Sequence, residues 1–236
     1  MLNEQSKPRP LIVERIQEFG NAVDEIMDKE NKFKAGLGLI LKFLLKILFC
    51  KLYKYNTHSV DQVAIEKLKL EYKEKNPESF ISTNDILTSW LLLQMKCDIT
   101  LVAVNFRNRI PDATVDHAGN YIDSVVLQKS DYDSPSKIRA ALQSYRRINC
   151  DIPLPSSIEA AKKKYAIITS WVSLYEDVQL PGCNQIYHVP CALPTNFLAS
   201  CVIYRPRKGE IQVLTSSKKK MFSKSMSVPS INKILD

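Results

Sequence analysis

Glycine is scarce: the 236 residues hold six, and they form no Gly-rich phosphate loop. That disfavours a nucleotide-hydrolysing enzyme, whose loop needs closely spaced glycines to bring backbone N–H groups onto phosphate. The cysteines give no framework either. Cys50, Cys97, Cys150, Cys183, Cys191 and Cys201 contain no Cys-x-x-Cys pair, and several lie in apolar runs. Disulfide and zinc spacings are therefore absent, and free thiols of a reducing compartment are expected. No charged-then-apolar leader opens the sequence, which reads as a cytoplasmic protein or an interior piece of a longer chain. No apolar run reaches the roughly 20 residues that a bilayer span requires. The most hydrophobic stretch, 35–50, is interrupted by Lys42 and Lys46 and closed by Lys51 and Lys54. Two readings stay open for it: a helix in peripheral contact with a membrane surface through 35–54, or a core or inter-domain helix whose lysines snorkel to water.

What is present is ordinary in amount and uneven in sign. Apolar residues make up 45% and charged residues 25%, with a net charge of +8. A chain of this size buries a proper core. The basic excess suits an anionic partner or a solvated lysine surface. Nucleic acid is not expected, because no module signature accompanies the charge.

Along the chain, Ile12, Ile16, Phe19, Val23 and Ile26 are spaced 4, 3, 4, 3, which predicts an amphipathic helix over 11–30. Residues 57–63 alternate weakly, as in a strand. Ile65, Leu68 and Tyr72 mark a charged helix ending at Pro77. Val, Ile and Thr content predicts strands over 99–106 and 121–127. Ser134-Pro135 is an N-cap and first-turn pair, opening a helix to about Asn149. A short helix at 157–164 precedes strands at 165–169, 185–190, 197–204 and 210–214. Helices and strands mixed in this order suit an α/β layer fold. Three segments result: 1–56 with helices, including the apolar basic stretch 35–54; a domain at 57–215; and a flexible Ser- and Lys-rich tail at 216–236.

The stretch that organises the chain is Ser82-Thr83-Asn84-Asp85-Ile86-Leu87-Thr88-Ser89-Trp90. Ser82-x-x-Asp85 is a variant capping box. The helix it opens over 84–95 is apolar nearly all round, as a buried helix is. Capping alone accounts for Asn84 and Asp85. Three further segments follow in order: Asn105-Phe106-Arg107-Asn108-Arg109, then Gly119-Asn120, then Thr169-Ser170-Trp171. Together the four resemble the C-terminal half of the HxxxD acyltransferases, the chloramphenicol-acetyltransferase-like superfamily. That superfamily includes the BAHD and the wax ester synthase/diacylglycerol acyltransferase types. The likeness is to their Ser-Thr-x-Asp, Asp-x-Arg-x-Arg, Gly-Asn and Thr-Ser-Trp segments, and it covers about 82–213. After Thr-Ser-Trp the BAHD type has Asp-Phe-Gly-Trp-Gly; here only Asp177 corresponds.

The resemblance implies a mixed-sheet α/β sandwich and the C-terminal half of a two-domain enzyme. Acyl-CoA would be the co-substrate and a hydroxyl or amine the acceptor, with no tightly bound cofactor and no metal. A His in a His-x-x-x-Asp segment would be the general base. His58, His117 and His188 all lack that context, so the base is expected from an N-terminal half or partner chain. Thr169 would offer a hydroxyl to the oxyanion and Trp171 an indole N–H or a wall, or else both merely close a strand. Ser82, Thr83, Asn84, Asp85, Arg107, Gly119 and Asn120 would line the channel or brace its loops. Coenzyme A phosphates would favour Lys162–Lys164 or Lys218–Lys220, unless these are plain surface. The alternatives are a non-catalytic truncated paralogue serving binding or assembly, and a membrane adaptor built on 35–54.

Overall fold

The chain is described by a computed structural model over residues 10–34, 36, 40, 44, 54–176, 178–191 and 199–217. Most of 35–54, Asp177 and residues 218–236 lie outside the described residues. The elements in order are α1 (Phe19–Lys34), β1 (Lys54–Ser59), α2 (Gln62–Lys75), α3 (Thr83–Met95), β2 (Ile99–Asn105) and β3 (Ile122–Gln128). Then come α4 (Lys129–Tyr132), α5 (Pro135–Ser144), α6 (Ser157–Lys162) and β4 (Tyr165–Ser170). A 3₁₀ turn (Val172–Leu174), β5 (Gln179–Leu180), β6 (Cys183–Asn184), β7 (Ala199–Tyr204) and β8 (Gln212–Ser217) close the order.

Six strands form one mixed sheet in the order β1-β8-β7-β4-β2-β3. Its centre is parallel, with β2 beside β4 and β4 beside β7. The outer pairings are antiparallel. Side chains alternate across a strand, so the register defines two faces. One carries Val102 and Val104, Val125 and Leu127, Ala166 and Ile168, Cys201 and Ile203, and Val213. These residues share the main core with Ile86, Leu87, Trp90, Leu91 and Leu92 of α3. Each such full burial is worth about 1.5–3 kcal/mol over exposure, which explains why a helix with no polar face settles here. The other face holds a smaller cluster of Ile99, Leu101, Val126 and Tyr165. Toward the carboxyl ends of the strands, Ala103, Thr169 and Val202 on this face are only half-buried.

The periodic pattern over 11–30 overstates α1, which begins at Phe19. Ile12 is extended and bridges His117: its N–H donates to Asp116 and its carbonyl accepts from Ala118. A backbone committed to that loop cannot also make helical bonds. The helix predicted to Asn149 stops at Ser144, because Tyr145 takes a left-handed conformation (φ 55°). That turn leads the chain to Arg147, whose Nε donates at 2.9 Å to the fully buried Asp131. Asp131 also accepts the backbone N–H of Gln128 and of Asn149, and Arg147 donates to the Ile152 carbonyl. No strand forms over 185–190; the short β5–β6 hairpin precedes it. β8 runs through buried Ser216 and Ser217, two residues into the stretch read as tail. Among the described residues, no helix is long and apolar enough to cross a membrane.

Removing one partner of the Asp131–Arg147 pair leaves a buried charge. Asp131→Ala should therefore lower unfolding free energy by about 3–5 kcal/mol in urea titrations; a loss near zero would show that the pair carries no structural weight. Thiol labelling gives a second check. Cys97 and Cys201 are buried, whereas Cys150, Cys183 and Cys191 are exposed. Burial pushes the Cys97 thiol up to about 11. At pH 8, mass spectrometry of the folded, alkylated chain should find Cys150, Cys183 and Cys191 modified and Cys97 and Cys201 intact. Because the folded-state value is raised, Cys97 contributes stability that is present below the unfolded thiol value near 9.0 and lost as pH climbs toward about 11.

Candidate functional site

The N-terminus of α3 is fixed by its own sequence. Ser82 is the N-cap: its hydroxyl accepts the Asp85 N–H at 3.2 Å, and the Asp85 carboxylate accepts the Ser82 N–H at 2.7 Å. The same Asp85 oxygen pairs with Arg139 Nη2 of α5 at 2.8 Å, and Asp85 is 2% exposed. The Arg139 guanidinium in turn lies 4.3 Å from the Phe80 ring centroid. One carboxylate thus caps α3 and ties it to α5.

A cavity of about 690 Å³ opens beside this cap. It lies at the carboxyl ends of the parallel strands: Ala103 to Asn105 end β2, Ser170 ends β4, and Arg205 follows β7. Open α/β sheets bind ligands outside such strand ends, and the size is that of a small-molecule cleft. Ser82, Asn84 and Asp85 line it, as do Arg109, Arg139 and Arg205. Among the described lining residues, three guanidiniums therefore meet one carboxylate. No histidine is among the described lining residues, and no His/Cys/Asp/Glu group among the described residues could hold a metal ion.

The other predicted positions have separate settings. Thr83 opens α3 without lining the cavity. Arg107 donates to the carbonyls of His117 and Gly119 and lies 5.0 Å from the Tyr121 ring centroid, so it braces the 107–119 loop through backbone carbonyls. Gly119 sits at φ +110°, a conformation that disfavours side chains, just before Asn120. Neither residue lines the cavity. Thr169 and Ser170 point to opposite faces of β4 by strand alternation. Ser170 reaches the cavity, whereas Thr169 lies on the half-covered face. Trp171 follows the strand end, its N–H donating to the Ile203 carbonyl at 2.7 Å.

Arg139 and Arg205 escaped the sequence reading. Neither belongs to a motif; each matters through where a helix face or strand end arrives. Lys162 ends α6, and Lys163 lines a second cavity of about 530 Å³ at the opposite, amino end of β2. That cavity has balanced charges, Asp98 and Glu159 against Lys129 and Lys163. The groups pushed up by burial near there, Cys97 to about 11 and Tyr165 to about 12, are also remote from the strand carboxyl ends.

No protein-family model matches the chain, and no curated protein does so by sequence. Solved structures do match by fold. The chain is similar to vinorine synthase with a TM-score of 0.50 and 14% identity, over 72% of this chain and 45% of that one. Polyketide synthase associated protein 5 from Mycobacterium tuberculosis matches at 0.45 and 14%, over 72% and 49%. VibH, a nonribosomal peptide synthetase condensation enzyme, matches at 0.45 and 11%, over 90% and 54%. The chain spans about half the length of these structures. The mixed α/β fold expected from the sequence is the fold observed, and it is chloramphenicol-acetyltransferase-like.

The cap and the ion pair separate by mutation. Ser82→Ala removes the hydroxyl that accepts the Asp85 N–H and donates to the Asp85 carboxylate, and should cost about 1 kcal/mol. Asp85→Ala removes the carboxylate half of the capping box and strands Arg139, and should cost about 3 kcal/mol or more. Equal losses in parallel denaturant melts would mean that the Arg139 pair is energetically silent.

Proposed function

We propose that the chain forms one wall of an acyl-transfer site, moving an acyl group from acyl-CoA to an alcohol or amine. The observation that carries this reading is the set of strand carboxyl ends, where the 690 Å³ cavity opens beside the α3 cap on one side of the sheet and Thr169 lies on the half-covered face across β4. The fold shared with vinorine synthase supports it. In the reaction, a general base takes the acceptor's proton as its oxygen or nitrogen attacks the thioester carbonyl. The carbonyl oxygen becomes an oxyanion, and the coenzyme thiolate leaves as the carbonyl re-forms. Thr169 supplies a hydroxyl donor to that oxyanion, and Trp171 borders the acceptor. The base comes from an N-terminal half or partner chain seated on the half-covered face that carries Thr169. Asp85, the one carboxylate among the described lining residues, is held by Arg139 and does not serve as the base. Exposed Ile40 and Leu44, one helical turn apart, support a lipophilic substrate or a peripheral membrane contact.

A second reading has its own support. The absence of histidine among the described lining residues favours a non-catalytic binding or assembly module for the chain by itself. The test is thiol release from acyl-CoA by the full-length protein. Removing an oxyanion donor costs roughly 10²–10³ in kcat, so Thr169→Val should lower kcat by that order, and Trp171→Ala should reduce turnover with Tm unchanged. Turnover indifferent to both changes would remove these residues from the site; no thiol release at all would leave the binding module.

A further inference from the structure

Among the described residues, the charge of the first cavity is not balanced. The one carboxylate of its described lining, Asp85, is taken by Arg139. The Arg109 guanidinium lies 5.6 Å from the Tyr145 ring centroid and has no carboxylate partner among the described residues. Arg205, half-buried, has neither a hydrogen bond nor an ion pair among them. Arg139 keeps a buried Nε without a hydrogen-bond partner. These arginines come from three separate parts of the chain: the loop after β2, helix α5 and the end of β7. Gathering like charges in a concave, partly dry cleft raises their mutual repulsion, and an anion relieves it. The second cavity, of similar size, is charge-balanced and has no such demand.

We infer that the first cavity takes its ligand by an anionic end, a carboxylate or a phosphate, held between Arg109 and Arg205, with Arg139 adding positive charge beside them. Guanidinium forks suit both groups, because each offers paired oxygens to parallel N–H donors. The inference rests on reading this cavity as the substrate-facing site, and it adds a substrate class: molecules with a charged end.

The test titrates the 236-residue chain, in the absence of any acyl donor, with inorganic pyrophosphate in one arm and succinate in the other, by calorimetry at low and at physiological ionic strength. Saturable binding is expected in one arm, stronger at low salt. It should weaken about 10-fold or more in Arg205→Gln and in Arg109→Gln, as loss of a charge-assisted hydrogen bond does, and stay unchanged in Lys163→Gln at the second cavity. The arm that binds identifies the group. No saturable binding in either arm, or binding indifferent to both arginine changes, overturns the inference. Should a variant fail to fold, protection of Arg109 and Arg205 against phenylglyoxal is read on the unaltered chain; absence of protection by both anions overturns it equally. Arginine-dependent anion binding without acyl transfer would remove the catalytic reading alone. Acyl transfer indifferent to both arginines would remove this inference alone.

Discussion

The carboxylate of Asp85 is the contact on which the cavity-bearing end of the fold depends. One of its oxygens receives the Ser82 N–H, the Ser82 hydroxyl and the Arg139 guanidinium. Asp85 is therefore an N-cap partner and half of an ion pair at once. A buried ion pair adds little net stability against its desolvation, yet it penalises any arrangement that breaks it. Here the penalised arrangement is a shift of α3 against α5. The rest of α3 is apolar and slides over an apolar sheet face without chemical complaint; hydrophobic burial is non-directional. Asp85 supplies the direction, and with it the position of the cavity's border.

The parallel pairing of β2, β4 and β7 does the complementary work from the sheet side. Their carboxyl ends arrive together, so three short segments far apart in sequence meet in one place. Alternation then sorts neighbours. Ser170 turns to the cavity beside the helices, and Thr169 turns to the face that is covered only in part. A one-residue slip of β4 would exchange the two. The buried pairing of Ile168 with Cys201, against the main core, opposes that slip.

Much of this was legible in the sequence because the signals were local. The capping box at Ser82 and Asp85, the β-branched runs of β2 and β4, and the Ser134-Pro135 helix start each depend on residues within a few positions of one another. The failures mark tertiary competition. Ile12 fits a helical period, but its backbone bonds to the 116–118 loop instead. The pattern through Asn149 continues past Tyr145, but the Asp131–Arg147 pair draws the chain out of the helix. Tyr187 and Val189 sit in a stretch without strand pairing, where the Pro- and Gly-rich turns around it suggest a strand. At the candidate site, Ser82, Asn84 and Asp85 were found from their motif. Arg139 and Arg205 were not, because no local pattern distinguishes an arginine that reaches a cleft from one that faces water.

The basic excess of the chain also acquires a location only through the fold. A net charge of +8 is compatible with evenly solvated lysines, and the lysines around α6 meet carboxylates in the amino-end cavity. The carboxyl-end cavity differs in residue type as well as in balance, since its cations are arginines. Lysine carries a strongly hydrated point charge, whereas arginine is weakly hydrated and keeps a planar set of donors in fixed directions. A surface that needed only solubility would have no use for that difference. A cleft that must orient a charged group beside a reacting centre does, because orientation there is worth several kcal/mol of barrier. The placement of Arg109, Arg139 and Arg205 around one cleft is thus better explained by recognition of an oriented ligand than by charge alone.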